Sequence, residues 1–325
     1  MERHVLQWHI THRCNLRCAH CYQEDFQAET DEGSMWEALD KYERFLRGRD
    51  LTGQVNLTGG EPLTHPAFWK LAADIRRRGM RLGVLTNGTL IDAGAAARLK
   101  ALGPAFVQVS LDGARDTHDA IRGAGAFDGA LAGIDRLKAE GVEVLISFTA
   151  QKGNWRDFAE LSRVCRAHRV DKLWWDRVVS GDVERLALST DEFRRLCASA
   201  GRRRRRYRRA DGSSFVSCGR ALQFLGTGRA CRYRCGAGGN LLILLADGAL
   251  MPCRRLPFTF GPIQRGELEE LIDRSESMRA LAQAPIPADC ARCPHAFLCR
   301  GGAKCVTYAQ TGRWDARDVN CWLRF

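Results

Sequence analysis

Residues 14–21 read C-N-L-R-C-A-H-C, and this stretch places Cys14, Cys18 and Cys21 in a Cys-x3-Cys-x2-Cys pattern. Cysteine thiolates are the usual ligands of iron–sulfur clusters, and four of them are the usual complement. Three thiolates therefore hold three corners of a four-iron cube and leave one iron free to bind a small molecule. A zinc site is the alternative, because His12 or His20 can supply the fourth ligand that structural zinc requires.

Apolar runs alternate with helical patterns through the first half of the chain. The predicted strands are Val5–Ile10, Val55–Thr58, Leu82–Thr86, Phe106–Leu111, Glu143–Thr149 and Leu173–Val178. The predicted helices are Trp36–Leu46, Ala67–Arg78, Gly94–Leu102, Gly129–Glu140 and Trp155–His168. Strands that alternate with helices in this way indicate parallel βα units. Six such units fit an α/β fold, an open and partial (β/α)6 barrel of the TIM type.

Polar and glycine-rich segments follow these strands, at the carboxyl ends where a βα barrel carries its chemistry. They are L-T-G-G-E-P at 57–62, T-N-G at 86–88 and S-L-D-G at 110–113. Together with the cysteine triplet, they make the chain resemble the radical S-adenosylmethionine (SAM) enzymes, in which the open iron binds the amino and carboxylate groups of SAM. The resemblance extends over nearly the whole chain, and it also implies the partial barrel.

The resemblance implies a set of contacts with SAM. Gly59, Gly60 and Glu61 match the motif whose backbone and carboxylate receive the methionine ammonium, and glycine allows the backbone to approach closely. Ser110 lies where the family contacts the ribose or carboxylate of SAM. Further predicted contacts, for which turn formation or the pairing of backbone groups is the alternative role, are Asn87, Asp112, Asn154 and Arg177.

A second group of eight cysteines lies between residues 231 and 321. Two apolar runs, Leu241–Leu245 and Ala249–Met251, predict a hairpin across Asp247-Gly248. A segment with so few core residues needs a further source of stability, and metal binding can supply the folding free energy.

The spacing of these cysteines resembles the SPASM extension of radical SAM enzymes, in which the ligands of two auxiliary [4Fe–4S] clusters interleave. The resemblance implies one set of Cys231, Cys235, Cys253 and Cys305 and another of Cys290, Cys293, Cys299 and Cys321. Cys218 is an alternative to Cys231, and a zinc ribbon is the alternative for the C-x2-C pair at 290–293. The gap before Cys305 has five residues where the family usually has three, which puts the role of Cys305 in question.

Composition favours metal binding over disulfides. The chain has 325 residues, 14 cysteines and a formal net charge of +12. Its apolar runs are shorter than the ~18–20 residues of a membrane span, and its N-terminus lacks the apolar core of a signal peptide. We therefore expect a cytoplasmic protein without membrane contact, where thiols stay reduced. Eleven thiolates on three [4Fe–4S] clusters would lower the net charge to about +7.

We expect three regions: the barrel at 1–180, a basic bridge at 181–230 and the SPASM domain at 231–325. The bridge contains a predicted helix, Asp191–Arg209, that ends in G-R-R-R-R-R-Y-R-R. These arginines form either a solvated helix face, the favoured interpretation, or a dock for an acidic peptide or nucleic acid. No aromatic stacking platform accompanies them, which disfavours nucleic acid.

Three cysteines belong to neither predicted ligand group. Cys165 and Cys197 have apolar neighbours on predicted helices, which indicates buried core thiols. Cys218 precedes the SPASM segment. It is a candidate donor of a hydrogen atom to a substrate radical if it faces the substrate cavity, and an inert thiol otherwise.

The SPASM resemblance mainly implies peptide or protein substrates, and segments 233–238 and 252–255 look most like those of bacterial maturases of ribosomally made peptides. In such enzymes a flavodoxin or ferredoxin-type reductant supplies an electron that cleaves SAM to a 5′-deoxyadenosyl radical. The radical abstracts hydrogen from a precursor peptide, which leads to a thioether or carbon–carbon cross-link or to epimerisation. The alternative substrate is a small molecule or a haem or quinone precursor.

Two further features bear on the substrate. Sulfatase-maturing relatives usually have an Asp directly after the cysteine at position 253, whereas this chain has Arg254, which argues against formylglycine formation. Arg254 and Arg255 can instead anchor an acidic peptide or shield a cluster. The chain begins almost on its first strand, so we expect leader binding by a separate protein or by the basic bridge and SPASM surface.

Overall fold

The computed structural model describes residues 1–227 and 231–324; residues 228–230, at the end of the predicted bridge, and Phe325 lie outside the described residues. All six predicted strands are confirmed, with boundaries shifted by at most three residues. They are β1 (Arg3–Thr11), β2 (Thr52–Gly59), β3 (Arg81–Thr86), β4 (Phe106–Ser110), β5 (Val144–Ala150) and β6 (Lys172–Arg177). Neighbouring strands in the order β6-β5-β4-β3-β2-β1 are parallel, which confirms the α/β partial barrel.

The predicted hairpin is also confirmed, as β7 (Leu241–Leu244) and the antiparallel β8 (Leu250–Met251). Its position was not foreseen. β7 pairs in parallel with β1, from Val5 opposite Leu241 to Trp8 opposite Leu244. The cysteine-rich segment therefore extends the barrel sheet to eight strands within the described chain.

The five helices predicted between the strands are present. The helices of the described residues are α1 (Glu32–Gly48), α2 (Phe68–Arg77), α3 (Ala93–Leu102), α4 (Arg115–Arg122), α5 (Ala126–Ala139), α6 (Phe158–Ala167), α7 (Val183–Leu186), α8 (Thr190–Arg206), α9 (Leu268–Arg274), α10 (Glu276–Ala282), α11 (Ala296–Cys299) and α12 (Lys304–Thr311). The short α4 was missed, because two buried side chains on eight residues give little periodic signal. The bridge helix α8 ends three residues before the predicted Arg209, since Arg208 pairs with Ser214.

Alternation along the strands separates an outer, helix-facing side from an inner one. On β1, Leu6, Trp8 and Ile10 are fully buried in the main core. The side chains of the opposite face line the barrel interior, as shown by Trp174, whose Nε1 donates to Gln108 Oε1 at 2.9 Å across the intervening β5. Most side chains facing this interior are polar: Gln7, His9, Asn56, Gln108, Ser110, Ser147 and Trp174. Among the described residues, no helix has the length and apolar character needed to cross a membrane.

Candidate active site

The cysteine triplet lies on the loop that leaves β1 at the carboxyl end of the barrel. The loop closes on itself, because Thr30 N donates to Ile10 O at 3.1 Å and Thr11 pairs with Glu29. All fourteen cysteines are free thiols, and those of the triplet are half-buried. The three thiols are thus presented at the mouth of the barrel, as the sequence predicts.

Each sulfur of the triplet has an N–H donor close to it. The donors are Leu16 N and Asn87 Nδ2 to Cys14 (3.4 and 4.0 Å), Arg122 Nη1 to Cys18 (3.7 Å) and Gln23 N to Cys21 (3.4 Å). Burial raises the pKa of Cys18 to about 11, and a bound metal ion would favour the thiolate form. Three half-buried thiols with N–H donors fit the cysteine ligands of a [4Fe–4S] cluster.

The two histidines of the zinc alternative are engaged elsewhere. His12 Nδ1 lies 3.4 Å from Asp25 Oδ2, and His20 Nε2 lies 3.5 Å from Asp112 Oδ2. Within residues 1–227 and 231–324, no three His, Cys, Asp or Glu side chains converge on a site for a single metal ion.

The two glycines at the end of β2, Gly59 and Gly60, are required by contact with the cysteine loop. Gly60 N donates to Thr11 O at 2.7 Å, and Glu61 N donates to Arg13 O at 2.8 Å. A Cβ atom on Gly60 would lie 2.2 Å from the carbonyl oxygen of Arg13, and one on Gly59 would lie 2.2 Å from that of Thr11. Only glycine permits this approach, so the Gly-Gly pair fastens the second strand to the cysteine loop.

Glu61 is fully buried and already has three donors from the protein. Its carboxylate accepts from Thr86 Oγ1 and Asn87 N, both at 2.8 Å, and from Leu63 N at 3.3 Å. Burial raises its pKa to about 7, although these hydrogen bonds oppose the shift. The predicted contact with the SAM ammonium stays a prediction, and such a cation would favour the ionised form.

Asp112 anchors the cysteine loop, and its predicted contact with SAM stays a prediction. Its buried carboxylate accepts from Arg122 Nε at 2.6 Å and from Thr149 N at 2.7 Å, and it faces His20. Burial opposes ionisation, but Arg122 and His20 keep its pKa below the usual range. Because Arg122 also reaches Cys18, the missed helix α4 connects the carboxylate to the triplet. Nothing in the sequence marked Arg122, which lies on a helix too short to recognise.

Three further predicted SAM contacts have internal partners. Asn87 donates to Asn15 Oδ1 at 2.9 Å, and Asn154 donates to the carbonyls of Asp112 and Thr149 at 2.9 and 2.8 Å. Arg177 binds Asp318 through both terminal nitrogens, at 2.6 and 2.8 Å, and is itself buried. Their contacts with SAM stay predictions, and these hydrogen bonds would have to open for them to form. Ser110 is half-buried and faces the barrel interior.

The four cysteines of the second auxiliary set line one pocket. A small pocket is lined by Cys290, Cys293, Cys299 and Cys321, together with apolar neighbours and Arg317. Arg317 Nη2 lies 3.5 Å from Cys321 Sγ. Burial is the larger cause, and repulsion by the neighbouring Cys299 the smaller one, of a rise in the pKa of Cys290 to about 11. Four thiols around one pocket, with Arg317 as a cationic donor, fit a [4Fe–4S] cluster in which each iron has a cysteine ligand.

The first auxiliary set is brought together in part. Burial raises the pKa of Cys305 to about 12, and the nearby charges of Cys253 and Cys235 contribute to this rise. The three thiols are therefore close together. All three belong to or pack against a small core cluster with Tyr233. Cys231 packs instead against the main core, near Cys218. Which of these last two completes the set stays a prediction.

The long gap before Cys305 has a conformational reason. Arg300, Gly301 and Gly302 all have positive φ, at 49°, 89° and 99°. Three consecutive residues with positive φ turn the chain between α11 and α12, that is, between Cys299 and Cys305. The assignment of Cys305 to the first auxiliary set stays a prediction.

Cys218 does not lie where the predicted hydrogen donor would need to be. It is buried in the main core against Trp175, which packs on the helix-facing side of β6 between Phe158 and Phe193. The barrel interior is on the other face of this strand. Cys218 is therefore corrected to an internal thiol, whose pKa burial raises to about 11. The predicted core thiols Cys165 and Cys197 are both buried.

The barrel carries a three-cysteine loop at its mouth and is followed by a second cysteine-rich segment. This arrangement is typical of an iron–sulfur protein in which one iron is open to a small molecule. Residues 8–165 match the radical SAM superfamily, and residues 235–294 match the iron–sulfur cluster-binding SPASM domain. The chain therefore carries a radical SAM domain followed by a SPASM domain. The two domains imply [4Fe–4S] clusters and SAM as cofactors.

Relatives of two kinds are similar to this chain. It is 37% identical to the Fe-coproporphyrin III synthase of Methanosarcina barkeri over 185 residues, which are 55% of the chain and 45% of that protein. The chain thus spans less than half the length of this relative. It is 28% identical to the mycofactocin maturase MftC of Mycobacterium ulcerans over 97% of the chain and 87% of that protein.

A solved structure shares the fold. It is native anSMEcpe with bound AdoMet and Cp18Cys peptide, with a TM-score of 0.81 at 18% identity, covering 98% of this chain and 94% of that one.

Proposed function

We propose that the chain modifies a ribosomally made precursor peptide by radical SAM chemistry. The observation that carries the proposal is the alignment with a mycofactocin maturase over 97% of the chain, which includes both the barrel and the SPASM domain. The bound peptide in the structure of similar fold supports it. The polar barrel interior also suits a substrate held by many hydrogen bonds.

The proposed radical chemistry would take place at the mouth of the barrel. When bound, the cluster and SAM supply a 5′-deoxyadenosyl radical that abstracts a hydrogen atom from the substrate. The protein's own part is to hold the reacting groups at the mouth of the barrel. Asn87 and Arg122 donate to the sulfurs of the triplet, and Gly60 and Glu61 fix the adjoining loop.

We further propose three [4Fe–4S] clusters, one on the triplet and two in the SPASM domain, and a cytoplasmic location. A flavodoxin or ferredoxin-type protein would supply the electron. Because Arg254 replaces an acidic residue, the proposed reactions are thioether or carbon–carbon cross-linking and epimerisation, and formylglycine formation is left aside.

The experiment is anaerobic co-expression with the short peptide encoded beside the gene, followed by mass measurement of the peptide. A cross-link removes two hydrogen atoms for each event. Epimerisation leaves the mass unchanged in ordinary water but introduces deuterium from heavy water. An unmodified peptide together with active SAM cleavage would reject the peptide proposal.

A tetrapyrrole substrate is the second candidate. The 37% identity with an Fe-coproporphyrin III synthase, confined to about half of the chain, favours it. Incubation of the reconstituted protein with a tetrapyrrole precursor, SAM and dithionite separates the two candidates, since only the tetrapyrrole proposal predicts a change in the mass of the tetrapyrrole.

Two basic surfaces are available for a leader peptide, and both lie at the end of the barrel where the strands begin. One is the end of α8, where Arg202, Arg205 and Arg206 are exposed. The other is a cleft of about 800 Å³ between the start of β1 and the SPASM domain, lined by Arg3, Arg49, Arg234, Arg300 and Lys304.

Neutralising the three exposed arginines of α8 tests the first surface. Arg204 should be left in place, because it donates to Val216 O at 3.1 Å and supports the fold. Undiminished capture of the precursor peptide by the triple glutamine variant would exclude this surface. The cleft beside β1 and a separate leader-binding protein would then remain, and only a separate protein would have to be added for modification to occur.

A further inference from the structure

Two arginines follow Cys253, and the structure gives them different partners. Arg255 binds inward: its Nη1 donates to Asp176 Oδ2 at 2.6 Å, and its Nη2 donates to Arg177 O at 2.5 Å. Its backbone N also donates to Cys253 Sγ at 3.4 Å. Arg255 therefore faces the thiols of the first auxiliary set and offsets their charge.

Arg254 turns towards the cysteine loop of the barrel. Its guanidinium lies 4.4 Å from the centre of the Tyr22 ring, and its Nη2 donates to Tyr22 O at 3.2 Å. Tyr22 directly follows Cys21, a ligand of the triplet. Across the described part of the chain, Arg254 has no carboxylate within 4.0 Å, and its Nε is buried without a hydrogen-bond partner.

A second unpartnered polar atom lies against the same tyrosine. His9 projects from β1 into the barrel interior, is fully buried and packs edge-on to Tyr22 at 6.1 Å between ring centres. Its Nε2 contacts Gln7, but its Nδ1 has no partner. Buried N–H and N groups are nearly always hydrogen-bonded, so two unpartnered nitrogens beside one ring indicate a ligand that supplies the missing partners.

We propose that Arg254, with Tyr22 and His9, forms a subsite that binds a carboxylate of the substrate beside the radical SAM site. The proposal rests on the proposed function, since the ligand is the substrate of that site. A guanidinium with free N–H groups is the natural partner of a carboxylate, and burial strengthens the pair. The carboxylate can belong to an acidic side chain or C-terminus of a peptide, or to a propionate of a tetrapyrrole.

The test compares matched acidic and blocked probes on the anaerobically reconstituted protein. One pair is a glutamate-containing core peptide and its glutamine counterpart; the other is coproporphyrin III and its tetramethyl ester. Dissociation constants are measured by quenching of tryptophan fluorescence for the wild type, Arg254→Gln, Arg254→Lys and the control Arg265→Gln, which removes an exposed arginine of the SPASM domain. Iron content shows that each variant is loaded.

We expect the wild type to bind the acidic member of one pair about ten- to hundredfold more tightly than the blocked member. Arg254→Gln should abolish this preference, Arg254→Lys should keep part of it, and Arg265→Gln should leave it unchanged. The pair that shows the preference identifies the source of the carboxylate. Absence of any preference in the wild type, or its survival in Arg254→Gln, would overturn the proposal.

Failure of the proposed function would be seen separately. Formation of 5′-deoxyadenosine by the wild type with SAM and dithionite does not depend on the probes. Its absence would reject radical SAM catalysis, while the binding comparison would still decide whether Arg254 recognises a carboxylate.

Discussion

Asp318 joins the end of β6 to the C-terminal segment through a buried ion pair. Its carboxylate accepts two hydrogen bonds from Arg177, and others from the backbone of Ala303 at 2.8 Å and Asn320 at 3.0 Å. The side chains of Asp318 and Arg177 are 0% and 3% exposed. Removing one member of such a pair leaves the other charge buried without compensation, which costs about 3–5 kcal/mol.

We therefore expect Asp318→Ala to lower the free energy of unfolding by about 3–5 kcal/mol, as measured by anaerobic urea unfolding of the cluster-loaded protein. Asp318→Asn retains the shape and loses the charge, so its cost should approach that of the alanine variant. The matched control is Asp315→Ala, which removes an exposed pair with Arg313 and should cost less than about 1 kcal/mol. Equal unfolding free energies for Asp318→Ala and Asp315→Ala would refute the reasoning.

Three further predictions concern other parts of the molecule. Burial, assisted by a neighbouring cation, lowers the pKa of His4 to about 4, so the unfolded chain binds a proton below the ordinary value of 6.5 that the native state does not. His4 should therefore contribute a loss of about 1 kcal/mol of stability as the pH falls from roughly 7.5 to 5.5, and His4→Gln should lose that much less stability than the wild type over this range. Gly60→Ala should reduce iron binding at the triplet, since its Cβ would meet the cysteine loop, whereas Gly153→Ala, with open space around it, should not; equal iron contents would contradict the close approach. Cys299→Ala should lose one cluster's iron, while Cys165→Ala, a core thiol, should retain the full amount; a full complement in both would remove Cys299 from the ligands.

The sequence predicts the barrel well because its signals are local. Apolar runs end at glycine-rich or polar segments, and the parallel arrangement brings those segments to one edge. The pairing of β7 with β1 was beyond reach, because a contact between residues more than two hundred positions apart leaves no local pattern. A parallel partner is a tertiary property, decided by which sheet edge is open.

Side-chain partners were predicted less well than positions. Arg177 lies at the end of β6, where a SAM contact was expected. Its guanidinium binds the carboxylate of Asp318 near the C-terminus, and the sequence did not indicate this partner. Arg254 and Arg255 are indistinguishable in sequence, and only the direction of each side chain shows which one remains available. Cys218 packs against Trp175 because the segment that precedes it runs beside β6, where Val216 pairs with Leu173, a contact that the sequence does not reveal.

The strand β7 covers the outer edge of β1 along four residues, from Val5 to Trp8. A protein shortened to end before Leu241 would present that row of N–H and C=O groups to solvent, next to an apolar face. An exposed strand edge of this kind pairs with strands of other molecules. The isolated barrel should therefore self-associate through this edge, which β7 covers in the full chain.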